Sequence, residues 1–402
     1  MGNILLICSV FPPEEVTSAG MSYDLAVALS KRNNVTVLRP RPTRPAGVDY
    51  SGKTVKSDTF ECITVNSYTC PHSNMLKRFW ESTDFGIRSA FYIIRNRKKI
   101  DYIFNDGWHL FGLFIVSFVS RILGIPYMVP IQDVYPESLL TKGVSSSYAR
   151  FMVKIILSPL DRYTQKKAHV IRTNTNEMAS YLSRTRIIDI EKYLVVYNWQ
   201  NEDDFKIPVV VSKHDNKVFS YVGSINVHSN VDLIIKAFAK ANIKDSEMRI
   251  YGGGNKCDDC KNLCDQLSLE NVSFGYVSRS EVPIIQSEAD IMLFALPTGN
   301  GKLCLPSKMV SYMLSAKPIL ASIDTDCSAA EILKESGCGV VVEPDNIEKL
   351  VEGFKEIATY TDDEISRMGE KAREYAMNVL SKEVNLNKVV NAIESYLNMM
   401  AT

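Results

Sequence analysis

Short aliphatic and β-branched runs alternate with longer stretches in which apolar residues recur every three or four positions, along the whole 402-residue chain. NILLICSV (3–10) predicts a strand, SAGMSYDLAVALSKR (18–32) a helix, and NVTVLRP another strand. A Pro- and Gly-rich loop (40–52) leads to the strand FECITVNSY and then to a long helical region over 75–99. DYIFN, PYMVPI, HVIRTN and YLVVYN predict four more strands. Helices are expected between them at 108–123, near 146–167, and before the last strand. This βαβ punctuation predicts a mostly parallel sheet with helices on both faces.

Residues 199–216, WQNEDDFKIPVVVSKHDN, are polar and lack a clear period, which marks a linker. The pattern then restarts with KVFSYVG. In the helix that follows, Val231, Ile234, Ile235 and Phe238 fall at i, i+3, i+4 and i+7 on one face. EMRIY, NVSFGYV, ADIMLFA, KPILAS and GVVVEP predict further strands, and the tail from 346 is nearly all helical. The expected architecture is therefore α/β, with two Rossmann-like, doubly wound domains over 1–200 and 217–382. Ligands of such sheets bind beyond the carboxyl ends of the strands, and two facing domains would set those ends across a cleft.

Composition changes this picture little. The chain is 46% hydrophobic and 23% charged, with a formal net charge of zero. That is ordinary for a soluble globular protein and gives no general attraction to nucleic acid. MGNILLICSVF lacks a basic leader region and runs straight into a strand, so a cytoplasmic protein is expected. LFGLFIVSFVSRILGI (110–125) contains Arg121 and is short for a bilayer span, so a buried helix is expected. Nine cysteines, an odd number, fit a reducing compartment. Cys257, Cys260 and Cys264 would share a helix face, but no fourth ligand stands nearby and no metal site is expected. The 75–99 segment sets seven Lys/Arg against Glu81 and Asp84 among many aromatics. It reads equally as an anionic-membrane contact or as a core-packed helix with a charged outer face.

The chemistry gathers at LPTGNGKLCLPSKMVSYM (296–313), a loop with two glycines and a lysine between an apolar strand and a helix start. Glycines admit close backbone approach, and a helix start offers unpaired N–H groups. A phosphate or diphosphate is the expected ligand. A dinucleotide-binding dehydrogenase is disfavoured, since no G-x-G-x-x-G follows the first strand and YGGGN (251–255) has the wrong spacing. A P-loop is absent as well.

Seven motifs in order carry a resemblance: FPPEEVTSAG (11–20), QDVYPES (132–138), YVGSINVHSNVDLIIKAF (221–238), IYGGGN (250–255), FGYVSRSEV (274–282), ADIMLFALP (289–297) and LPSKMVSYMLSAKPIL (305–320). Together the chain resembles retaining glycosyltransferases of family 4 with the GT-B architecture, and among them the bacterial fucosamine-transferase-like branch of surface-polysaccharide assembly. The resemblance implies a C-terminal helix (about 383–402) crossing back to the first domain. It implies a sugar-nucleotide donor, with UDP as the expected nucleotide, held mainly by the second domain. The acceptor, a glycan or lipid-diphosphate-linked sugar, would sit mainly on the first, and no metal or other cofactor would be needed. It places the protein in the cytoplasm or peripherally on the inner face of the plasma membrane.

By the same resemblance the donor diphosphate lies against Gly299, Gly301, Lys302, Ser307 and Lys308. His228 stands where relatives often carry a basic diphosphate contact, with Asn226 beside it. Ser311 stands where many members have a ribose-binding glutamate and reaches less far. Backbone groups near Tyr276 and Val277 would meet the nucleobase. Gly252 and Gly253 would let their loop pass close to the donor, or form a plain tight turn. Gly20 would open the first helix beneath the phosphates. Asp133 is the expected catalytic carboxylate and Glu137 the runner-up, with a loop-shaping role as the alternative. Tyr135, Glu14 and Glu15 are candidates for acceptor contact, though the two glutamates read equally as solvated. Two other functions fit parts of the pattern: a sugar-nucleotide 2-epimerase of similar fold, and a non-catalytic sugar-nucleotide-binding subunit.

Overall fold

The computed structural model describes residues 1–14, 16–44, 47–52, 57–70, 74–137, 151, 153–206, 216–278, 280–302 and 305–401. The chain forms two compact units, one of Met1–Val196 with Leu386–Thr402 and one of Tyr197–Asn385.

The first unit is built on β1 (Asn3–Cys8), β2 (Asn34–Pro40), β3 (Glu61–Val65), β4 (Tyr102–Asp106), β5 (Tyr127–Ile131), β6 (Val170–Thr173) and β7 (Tyr193–Val195). All pair in parallel, in the order β3-β2-β1-β4-β5-β6-β7. Parallel strands need crossover helices, which cover both faces, so an inner strand is apolar throughout. Strand β1 is buried from Ile4 to Cys8. Helices start where short polar side chains satisfy free amides: Asn74 accepts from the Lys77 N–H at 3.0 Å and Thr175 from the Met178 N–H at 3.1 Å.

One expectation needs correction here. The 110–125 stretch forms helix Phe111–Ile122, but it is only half buried, with Phe118 and Ile122 exposed. Its inner face packs tightly: a Cβ on Gly86 would stand 2.7 Å from the Gly112 Cα. Among the described residues no helix is long and apolar enough to cross a membrane. The 75–99 helix is Met75–Asn96, closed by a tighter turn over Arg97–Lys99. The helix expected near 146–167 is described from 153 onward, as a wide turn over Val153–Leu157 followed by Ser158–Lys167.

The second unit carries β8 (Lys217–Val222), β9 (Ser246–Tyr251), β10 (Val272–Gly275), β11 (Ile291–Ala295), β12 (Ile319–Ser322) and β13 (Gly339–Val342). They are parallel in the order β10-β9-β8-β11-β12-β13. Alternate residues of β8 feed two separate cores. Val218 and Val222 pack with Met292, Phe294 and Met309 on one face. Phe219 and Tyr221 pack with Ile234, Ile235, Phe238 and Phe354 on the other. There Phe219, Phe238 and Phe354 meet edge-on at 5.3 to 5.9 Å.

Candidate active site

In the second sheet the strand order reverses between β8 and β11, and a doubly wound sheet binds its ligand at such a point. The backbone leaving β8 is stitched to the glycine turn after β9. The N–H of Gly223 donates to Tyr251 O at 2.9 Å, that of Ile225 to Gly253 O at 2.9 Å, and that of Lys256 to Ile225 O at 3.1 Å. Contact is so close that a Cβ on Gly252 would lie 2.0 Å from Gly223 O, and one on Gly254 2.1 Å from Ile225 O. A Cβ on Gly253 would meet nothing within 4 Å. The pair that packs against the backbone is therefore Gly252 and Gly254, and Gly253 faces open space.

Lys308 lies across this junction. Helix Ser307–Leu314 is anchored by Tyr312, whose hydroxyl donates to Val222 O at 2.9 Å and accepts from the Val222 N–H at 3.0 Å. One turn earlier, Lys308 is laid over Gly223, where a Cβ would stand 2.4 Å from its Cε. Its ammonium donates to the Tyr221 hydroxyl and sits 4.4 Å from the centre of the Tyr221 ring. The Tyr221 hydroxyl in turn donates to Ser224 O at 2.6 Å. Burial pulls the Lys308 amine down to about 8. No carboxylate among the described residues pairs with it, in contrast to Lys302 and Lys256. A half-buried cation with no counter-ion among the described residues, beside an exposed helix start, is arranged to receive an anion.

The loop before it differs from expectation. The N–H groups of Gly299 and Gly301 are spent on Asp324, at 2.9 and 3.1 Å, and Lys302 is exposed and paired with Asp326 at 2.6 Å. The protein's own carboxylates occupy the donors that the sequence offered to a diphosphate. Ser311 is buried and donates to the Gln286 side-chain oxygen at 2.9 Å, beside Ser315 at 2.7 Å, so its hydroxyl is committed to the core. Ser307 is the first residue of the helix and has no side-chain cap. Asn226 shapes its own loop, accepting from the His228 N–H at 2.9 Å and reaching Ser224 at 3.2 Å. That turn leaves the His228 imidazole exposed. Tyr276 is exposed, while Val277 packs against the core. Cys260 and Cys264 face the core, where burial pushes both thiols up to about 11.

In the first unit the order reverses between β1 and β4. Gly20 does not open its helix: Thr17–Ser30 starts three residues earlier, and a Cβ on Gly20 would meet nothing within 4 Å. Glu14 is buried and accepts from the N–H groups of Phe11 (3.2 Å), Thr43 (2.8 Å) and Arg44 (2.8 Å). Its burial and three backbone bonds rule out the solvated reading. Glu15 lies outside the described residues. Asp106 ends β4, where burial raises its carboxyl to about 7 against the pull of Arg172 and the Ser22 hydroxyl.

The two carboxylates after β5 part company. Glu137 is gripped by Arg186 at 2.6 and 2.8 Å and receives the Tyr181 hydroxyl at 3.3 Å. Burial works to raise its pKa, but the bonds and charge of Arg186 outweigh this and hold it low. Arg186 also donates to Tyr135 O at 2.7 Å and to Asp161 at 2.6 Å. Asp133 is exposed, and its side chain has no hydrogen bond or ion pair among the described residues. Tyr135 stacks on His109 with ring centres 4.7 Å apart and planes at 24°. Sequence reasoning missed Tyr221, Gly223, Gly254, His109 and Arg186. The glycine directly after β8 and the aromatic pair in GWH after β4 were the available signals. The Arg186 grip left none, since its partners lie 25 to 51 residues away.

Residues 202–375 match the family model described as "Glycosyl transferases group 1". The chain is 20% identical over 338 residues to the "Putative colanic acid biosynthesis glycosyl transferase WcaI" of Escherichia coli K12, covering 81% of this chain and 82% of that one. It is 23% identical over 287 residues to the "Probable glycosyltransferase WbjE" of Pseudomonas aeruginosa, covering 68% and 70%. The crystal structure of Anabaena Alr3699/HepE in complex with UDP and glucose superimposes with a TM-score of 0.68 at 14% identity, covering 98% of this chain and all of that one. At that identity the likeness is one of fold, the GT-B fold of two Rossmann-like domains.

Gly254→Ala should lower unfolding stability by about 2–4 kcal/mol, because the new methyl meets backbone that cannot step aside. Gly253→Ala should stay within about 0.5 kcal/mol. Urea titration of both variants checks this, and equal losses would remove the close contact.

Proposed function

We propose that this chain, whose second unit carries a group 1 glycosyltransferase domain, moves a sugar from a UDP-sugar to a glycan or lipid-diphosphate-linked acceptor with retention of anomeric configuration. The single observation that carries the reading is Lys308, a partly desolvated ammonium with no counter-ion among the described residues, at the switch point of the second sheet. The donor diphosphate is the anion that it and the start of helix Ser307–Leu314 are suited to take. Charge grows on that diphosphate as the bond between the sugar carbon and the phosphate oxygen breaks, and a pre-placed cation stabilises it. The acceptor hydroxyl attacks on the face that the diphosphate leaves and gives its proton to the departing phosphate oxygen. No dedicated strong base is then required, and no metal.

On the first unit, Asp133 is the carboxylate we assign to orienting the sugar or the reacting hydroxyl, since Glu137 is held by Arg186. Tyr135 and His109 form an aromatic platform suited to the apolar face of a sugar ring. The likeness to the colanic acid biosynthesis protein supports a role in surface-polysaccharide assembly. The sugar we assign, from the fucosamine-transferase-like motifs of the sequence, is an N-acetylated deoxyhexosamine. A lipid-linked acceptor would bring the work to the inner surface of the plasma membrane. A 2-epimerase would turn over UDP-sugar with no acceptor, and a binding subunit would turn over nothing.

Lys308→Met keeps an unbranched side chain only one atom shorter and removes the charge. UDP affinity measured by calorimetry at pH 7 should fall by about 1.5–3 kcal/mol, the range for a hydrogen bond to a charged group. The native amine is depressed, so its charge is present below about pH 8 and fades above it. Wild-type affinity should therefore fall between pH 7 and 9, and the variant's should not. Unchanged affinity at pH 7 would take Lys308 out of the donor site.

Asp133→Asn should leave UDP affinity within about threefold and lower transfer by about 10²-fold, the scale of a well-placed catalytic group. Transfer at the wild-type rate would make Asp133 a loop residue.

A further inference from the structure

Helix Met75–Asn96 carries its large hydrophobic side chains on the wrong face for a core-packed helix. Its inner face is built from Ser82, Gly86, Ser89 and Ala90, with Phe85 and Ile93. These small residues let helix Phe111–Ile122 approach closely at Gly112, whose N–H donates to the Ser82 hydroxyl at 2.9 Å. The larger residues point outward. Leu76, Trp80, Ile87, Phe91 and Ile94 follow at i, i+4, i+11, i+15 and i+18, one stripe along the helix. Leu76 is 77% exposed, Phe91 69% and Trp80 57%. Phe79 meets Phe111 edge-on at 5.4 Å, joining the outer faces of the two helices. The second helix adds Phe118 and Ile122, the latter 66% exposed. Single exposed hydrophobic residues are common, but an aligned stripe continued on a neighbouring helix marks a docking surface.

Charge tells what docks. Both acidic side chains of the helix are already engaged: Glu81 is buried against Arg44 at 2.9 Å, and Asp84 is bound by Arg88 at 3.0 Å. Lys77, Arg95, Arg97, Lys98 and Lys99 are exposed and make no ion pair among the described residues. Lys77 and Arg95 border the apolar stripe on one side, with the Arg88–Asp84 pair between them, and Arg97, Lys98 and Lys99 close its end. An apolar stripe with a tryptophan, bordered by unpaired cations, complements the interface of a bilayer bearing anionic headgroups. A second copy of this chain would bring like charges together instead.

We infer that the outer faces of helices Met75–Asn96 and Phe111–Ile122 lie on an anionic membrane surface, with Trp80, Phe91 and Ile94 entering the interface and Arg95, Lys98 and Lys99 meeting the headgroups. The surface is defined without reference to the donor site, so this inference and the proposed transfer reaction stand or fall separately.

The test is co-sedimentation of the full chain with vesicles of phosphatidylcholine, with and without phosphatidylglycerol. The wild type should bind the anionic vesicles at least tenfold more tightly than the neutral ones, and less tightly as salt rises from 50 to 500 mM. Trp80→Glu with Phe91→Glu should reduce binding at least tenfold at an unchanged melting temperature and unchanged UDP affinity. Arg95→Gln with Lys98→Gln and Lys99→Gln should abolish the preference for anionic lipid. Trp80 emission should shift to the blue on the vesicles, and that shift should vanish in Trp80→Phe. No binding by the wild type, or equal binding by the Trp80/Phe91 variant, overturns the inference. So does a wild-type dimer in light scattering that the same variant dissociates while vesicle binding is unaltered.

Discussion

The second unit is organised around a backbone contact that leaves no space for a β-carbon. Where the chain leaves β8 at Gly223, it passes under the glycine turn that follows β9, closely enough that Gly252 and Gly254 must lack side chains. The same crowding bares Gly223 to the stem of Lys308. With Tyr312 holding the helix to Val222, the ammonium has one place to go, against Tyr221. The position takes it partly out of water and gives it no carboxylate among the described residues, which is costly in the free protein and useful when an anion arrives. Tight packing and a poised cation are therefore one feature of the fold.

The first unit handles its charges in the opposite way. Arg186 is satisfied by Glu137, Asp161 and Tyr135 O, and this web fixes the segment after β5. Glu14 does similar work for the loop after β1, through Phe11, Thr43 and Arg44. In both loops one carboxylate is consumed to shape the backbone. Asp133, four residues before Glu137, is left exposed at the strand end. Such a division lets a rigid loop present a carboxylate whose position does not depend on its own hydrogen bonds.

Much of the fold was legible in the sequence, because a parallel sheet covered on both faces writes each strand as a continuous apolar run. The runs beginning at Asn3, Lys217 and Ile291 are examples. Site residues were legible where chemistry is local, as in the Ser307-Lys308 helix start. They were not legible where a competing partner comes from far along the chain. Asp324 takes the loop amides of Gly299 and Gly301 from more than twenty residues away, and Gln286 takes the Ser311 hydroxyl from twenty-five. The 110–125 stretch misled for a different reason. Apolar spacing reports that a face avoids water, but not whether protein or lipid covers it. Only the packing at Gly86 and Gly112 shows which side faces the core.

Burial holds the Lys308 amine below its ordinary range, and a bound diphosphate should bring it back up. Nitrogen-detected NMR of the lysine side chains, titrated with and without UDP and assigned through Lys308→Met, measures this directly. The Lys308 amine should titrate near pH 8 in the free protein and move up by at least one unit when UDP binds, as an opposite charge demands. A midpoint that does not move when UDP is saturating would contradict it.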